Sequence, residues 1–266
     1  MNAMAQPEKN QVLEAFKAKM IEKHEVTLRA SMELVRISNG LLYEPFASPL
    51  HKVIRPIARV VVNSNGAVLT VATVGYGNDA AKIVRSMFEG AVTIAYLRKK
   101  PKLVFDYIDY HKVKLWEAYL KEVAKDPDLA KRVGKERVVQ MREENDAARP
   151  RFLNKNKGLI TSWCRVSIRQ RADDVGLGEF YPAFYAQASG MTHLDMSGLV
   201  AQADPNKFDV EVAPSETYVR QSLAMGFNMT FRALADLNAE ANLTYGDDLK
   251  AVQDFYVAET KKLQQP

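Results

Sequence analysis

Apolar residues return every three or four positions along most of this chain, the period of amphipathic helices. Val12, Phe16, Met20, His24, Leu28 and Met32 recur every four residues, with Leu13, Ile21 and Val35 beside them. That spacing predicts one helix of about 25 residues, stopped near Asn39-Gly40. A second helix is predicted over 50–62, either entered at Pro56 or kinked by it. The β-branched runs Val60-Val61-Val62 and Val68–Val74 flank Asn65-Gly66. They fit a hairpin as well as a buried helix; the helical surroundings favour the helix.

After the break at Gly75-Tyr76-Gly77, Asn78 or Asp79 is expected to cap a helix running to Lys99-Lys100-Pro101. The aromatic-rich stretch 103–123 and the highly charged stretch 126–145 read as two more helices, the latter with few apolar residues. A basic loop over 149–158 precedes helices expected at 161–173 and 179–193, separated by Gly176-Leu177-Gly178. A surface loop is expected over 204–214. Ser215 then caps a long helix with Val219, Leu223, Phe227, Phe231, Leu234 and Leu237 on one face. Gly246-Asp247 opens a last helix with Leu249, Val252 and Tyr256 inward. The sum is an all-α fold, a multi-helix bundle of about eight or nine helices. Residues 11–263 form one domain with a peripheral arm around 126–146, and 1–10 are set aside as a disordered N-terminus or expression remnant.

Composition narrows the class. The chain has 266 residues, 47% hydrophobic and 26% charged, an ordinary globular balance with enough length for a sizeable core. No apolar run of about 18 residues exists, and 11–32 is charged and amphipathic, so neither a membrane span nor a secretory signal is expected. A cytoplasmic location follows as the expectation. The single cysteine, Cys164, excludes an intrachain disulfide and a cysteine-based zinc site. Beside Trp163 it reads as a small core residue rather than a nucleophile.

Charge is unevenly placed. Between Ala147 and Arg171 stand Arg149, Arg151, Lys155, Lys157, Arg165, Arg169 and Arg171, with no acid. Those seven bases exceed the net charge of +5, so the remainder is slightly acidic. Such a segment suits phosphate, on RNA or another ligand; the structural alternative is a solvated loop and a helix whose arginines pair with distant acids.

Two motifs carry the candidate chemistry. Arg85-x3-Glu89-x6-Tyr96 and Tyr185-x3-Ser189-x3-His193 each set polar groups along one side of a helix, among apolar neighbours. Arg85 and Glu89 are spaced for an intrahelical ion pair, either as part of a structural network or as an anion-binding arginine beside an acid–base glutamate. His193 is the candidate for proton transfer; the structural alternative is a buried histidine tied to a helix neighbour. No Gly-x-Ser-x-Gly elbow or phosphate loop is present, and none of His24, His51, His111 and His193 belongs to a familiar metal-ligand pattern. No metal and no cofactor is therefore expected.

Taken together, Arg85-Ser86-Met87-Phe88-Glu89 with Tyr96-Leu97, Trp163, Arg171-Ala172, Tyr181, Tyr185 and Ser189-x3-His193 resemble the bacterial family called domain of unknown function 5677. The resemblance covers roughly Leu50 to Glu240 and implies an α-helical protein with no established reaction. More distantly the chain looks like HEPN nucleases, by analogy of fold. Those carry an arginine with four to six residues between it and the catalytic histidine, where this chain has Ala186, Gln187 and Ala188; Arg85 or Arg171 would have to reach His193 from another helix. Three functional readings stand, the last a metal-dependent helical enzyme in which Glu89, His193 and another histidine meet in the bundle core; the other two rank above it. One is a nucleic-acid-binding protein or metal-independent RNase of a defence system, with His193, Arg85 and Glu89 in the site and the basic segment on phosphates. The other is a non-catalytic interaction or regulatory protein in which Arg85, Glu89, Tyr96, Ser189 and His193 form one internal network. Broad apolar faces make a homodimer the expected assembly.

Overall fold

The computed structural model describes residues 6–45, 48–193 and 214–263, with the backbone of 203–204 and 209–210. Eleven α-helices fill the described residues: α1 (Gln6–Lys23), α2 (Glu25–Leu41), α3 (Pro49–Thr73), α4 (Gly77–Lys99), α5 (Val104–Val123), α6 (Leu129–Val133), α7 (Lys135–Ala148), α8 (Ile168–Asp174), α9 (Ala186–His193), α10 (Val219–Ala241) and α11 (Gly246–Lys262). Strand pairing among them is minimal: Ala203–Asp204 pairs antiparallel with Asp209–Val210, and Leu153 and Leu159 form an isolated antiparallel bridge. The fold is all-α. No helix among the described residues is long and apolar enough to cross a membrane.

The core is a trio. Helices α3, α4 and α10 pack chiefly on one another, α2 and α11 cover α10, and α8 and α9 lie on α4. In α3, Ile54, Ala58, Val61, Asn65, Val68 and Ala72 are buried, a helical rather than alternating period. The Val60–Val74 stretch is therefore helix, and α3 runs unbroken through Pro56, which is exposed. Close approach at one end demands a glycine. A Cβ on Gly77 would strike the Thr217 carbonyl and the Val219 backbone, so α4 and α10 begin in near contact.

Two helices more than expected arise from two breaks. The first falls at His24, which leaves the helical region (φ −115°, ψ 18°) and divides α1 from α2. A repeat of strictly four residues drifts about 40° per step around a helix, so the stripe from Val12 to Met32 cannot face one core throughout. Met20 and His24 are buried, while Val12 and Met32 are exposed. The second break is Gly134, whose φ of +87° separates α6 from α7 in a region open to glycine.

Other boundaries shift. Helix α1 starts at Gln6, inside the stretch set aside as disordered; residues 1–5 lie outside the described residues. Helix α4 starts at Gly77 after Tyr76, with no side-chain cap. Helix α8 starts only at Ile168, where Ser167 and Gln170 make a reciprocal capping box. Ser215 accepts from the Thr217 N–H, but the helix begins at Val219 after the left-handed Tyr218. The loop expected over 204–214 lies largely outside the described residues.

The charged stretch folds as α6 and α7. Helix α7 packs on α5 over a separate small cluster of Val113, Ala148 and Phe152. Tyr110 seals it, donating its hydroxyl to the Ile160 carbonyl.

Candidate functional site at the seam of helices α4 and α9

Arg85 and Glu89 are one turn apart on α4, and the pair forms as the spacing required, with Arg85 Nη2 3.3 Å from Glu89 Oε1. The third member comes from a single π-helical turn, Tyr181–Tyr185, immediately before α9. π turns are rare and recur at functional positions. This one stacks Tyr181 on Tyr185, with ring centroids 4.9 Å apart, and turns Tyr185 toward α4. There its hydroxyl donates to Glu89 Oε1 at 2.7 Å and lies 3.4 Å from Arg85 Nη2. The Arg85 guanidinium also sits over the Tyr185 ring.

Electrostatics keep the tyrosine protonated. Burial first, and then the bond to Glu89, push the Tyr185 hydroxyl up to about 12, against a smaller opposing pull from Arg85. At neutral pH it is a fixed donor. The triangle is open on one side: the Glu89 side chain is 45% exposed, and Arg85 Nε is buried with no acceptor.

The remaining candidates divide. Tyr96 does not join the triangle. It is buried, and its hydroxyl accepts from Lys100, which also pairs with Asp174 of α8. Its ring meets Trp163 edge-on, as does Tyr107. Over Trp163 lies Arg171, 7% exposed, whose Nε and Nη1 have no acceptor. Ser189 and His193 follow Tyr185 along α9 but bond to nothing polar among the described residues. His193 is exposed, so the picture of a buried histidine tied to its neighbour does not hold, and the five-residue network expected from sequence is not formed.

The basic segment is likewise partly spoken for. Arg149 pairs with Glu117, Arg151 with Asp106 and Asp109, and Arg165 donates to the Leu153 carbonyl. Arg169 lies over the Tyr181 ring. Lys155 and Lys157 stay exposed at the loop tip with no ion pair among the described residues. Among those residues no cluster of three histidine, cysteine or acidic side chains could hold a metal ion.

A second polar assembly escaped the sequence reading. Asp236 of α10 is 4% exposed and receives both Arg98 of α4 and Arg232 one turn away. Glu240 lies 3.6 Å from Arg98 Nε and 3.8 Å from His51 Nε2. The available signal was an aspartate inside an apolar stripe, between Leu234 and Leu237.

Residues 51–208, more than half of the chain, match the model of a family of unknown function, DUF5677. The chain belongs to that family. The matched segment holds α4, the π turn and α9, and so the whole Arg85–Glu89–Tyr185 triangle, whereas Asp236 lies outside it. It also ends short of the Glu240 limit expected from sequence. No curated protein and no solved structure matched the chain.

Proposed function

We propose that this family member binds a phosphate-bearing ligand, RNA first among them, along the α4–α9 seam. The supporting observation is a group of guanidinium donors without acceptors on α4 and the adjoining α8, Nε of Arg85 and Nε and Nη1 of Arg171, a property that Arg98 Nε farther along α4 shares. A buried cation without acceptors is costly. Phosphate oxygens supply charge-assisted acceptors of the right kind. Lys155 and Lys157 at the exposed loop tip, with Arg169, extend the positive surface. If the ligand is cleaved, exposed His193 is the group positioned to exchange protons and Glu89 its candidate partner, with Arg85 stabilising charge on phosphate. The setting is a cytoplasmic defence role, and exposed Val12, Ile21 and Met32 favour a homodimer.

The test is RNA binding and cleavage by wild type and His193→Ala, in EDTA, at low and moderate salt. Binding that weakens steeply with salt is expected. Cleavage by wild type alone would place His193 in the site; salt-insensitive or absent binding would end the nucleic-acid reading.

The closed side of the triangle favours a second reading. With Tyr185 bonded to both Arg85 and Glu89, the assembly also suits a clasp holding α9 to α4 in a non-catalytic interaction protein. Loss of stability in Tyr185→Phe with no RNA binding by wild type would decide for it.

A further inference from the structure

His24, at the break between α1 and α2, is 8% exposed, and its ring has no hydrogen-bond partner among the described residues. It lines a cavity of about 490 Å³ with Lys23, Thr27, Arg220, Tyr256 and Leu263. That volume is in the range of small-molecule sites and larger than a bare phosphate needs. Three basic side chains border it. The charged groups facing His24 are Lys23, Glu216 and Arg220, and the one acid, Glu216, is already held by Lys19 and Lys23. Arg220 has no ion pair among the described residues. From α11 the cavity receives Tyr256, whose ring is packed on Phe227.

We propose that this cavity binds a small organic anion, a phosphate or carboxylate carried on an apolar or aromatic body. The charged end would lie between His24 and Arg220, and the body against Tyr256 and Leu263. None of the residues of the α4–α9 seam takes part, so the site stands apart from the function proposed above. Binding is coupled to a proton. Burial, then Lys23 and Arg220, hold the imidazole below its ordinary value, with Glu216 opposing. An anion beside the ring reverses that balance, so His24 takes up a proton on binding and affinity rises as pH falls.

The test uses the full chain with phenyl phosphate, benzoate and neutral phenol as probes. Calorimetry at pH 6 and pH 8 is combined with NMR of the His24 imidazole. One or both anions should bind, more tightly at pH 6, with proton uptake and a shifted His24 signal, and phenol should not. The two anions distinguish a phosphate from a carboxylate preference. Arg220 is exposed, so Arg220→Gln should keep the fold and weaken binding at least about tenfold. His24→Gln should remove the pH dependence of benzoate binding, since benzoate keeps one charge across this range whereas a phosphate monoester titrates at about pH 6; if it fails to fold, Arg220→Gln alone carries the test. No binding at millimolar probe, equal binding of phenol, or unchanged affinity in Arg220→Gln would overturn the proposal.

Discussion

Helix α4 holds two arginine–carboxylate assemblies built on opposite plans. At Arg98 the carboxylate comes from another helix, is almost fully buried and receives two guanidinium groups, with Glu240 nearby. At Arg85 the carboxylate lies one turn away on the same helix, is 45% exposed and shares its pairing with a neutral tyrosine. The first assembly holds α4 against α10 with its aspartate saturated by two guanidinium groups, although Arg98 Nε, 3.6 Å from Glu240, is left without a hydrogen-bond acceptor. Arg85 Nε is unanswered too, but there the carboxylate stays exposed, and that assembly alone lies wholly within the segment matching the family.

The comparison can be broken by mutation. Asp236→Asn removes the buried charge that Arg98 and Arg232 converge on, and should cost about 3 kcal/mol after allowing for the partial exposure of both arginines. Chemical denaturation measures this, and a loss below about 1 kcal/mol would mean that the Arg98 assembly is not structural. Tyr185→Phe should cost about 1 kcal/mol and leave a pH signature. A hydroxyl raised in the folded state contributes stability fully below its unfolded value near 10 and loses it as pH climbs through about 12. Wild type should therefore weaken more steeply than Tyr185→Phe over that interval, and parallel curves would remove Tyr185 from the triangle.

Two smaller effects sharpen the contrast. Arg171→Met retains packing on Trp163 while discarding a buried cation with no acceptor. It should raise stability by about 1 kcal/mol and weaken RNA retention, and a large destabilisation would show that the cation is answered within the fold. His193→Ala should leave the unfolding free energy within about 0.5 kcal/mol of wild type, because the ring is exposed and bonded to no described residue. A substantially lowered melting temperature would restore the internal-network reading.

Which parts were legible in sequence follows from the range of the interactions. Helical period is written in contiguous residues, so α3, α4, α5, α10 and α11 were readable, and so was the Arg85–Glu89 pair inside one helix. The chain by itself also determined that Arg85, Glu89 and Tyr185 would be polar groups among apolar ones, each needing a partner. The tertiary structure decided who the partners are. Tyr185 meets Glu89 across 96 positions because a π turn, invisible to a 3.6-residue period, rotates it onto α4. Tyr96, in register with Arg85 on one helix, was diverted to Lys100 and Trp163 by the docking of α8. Asp236 became the most enclosed carboxylate of the two assemblies only once α10 lay against Arg98. Local period sets the face each side chain occupies, but the free energy of pairing depends on which faces dock, and residues distant in the chain determine that.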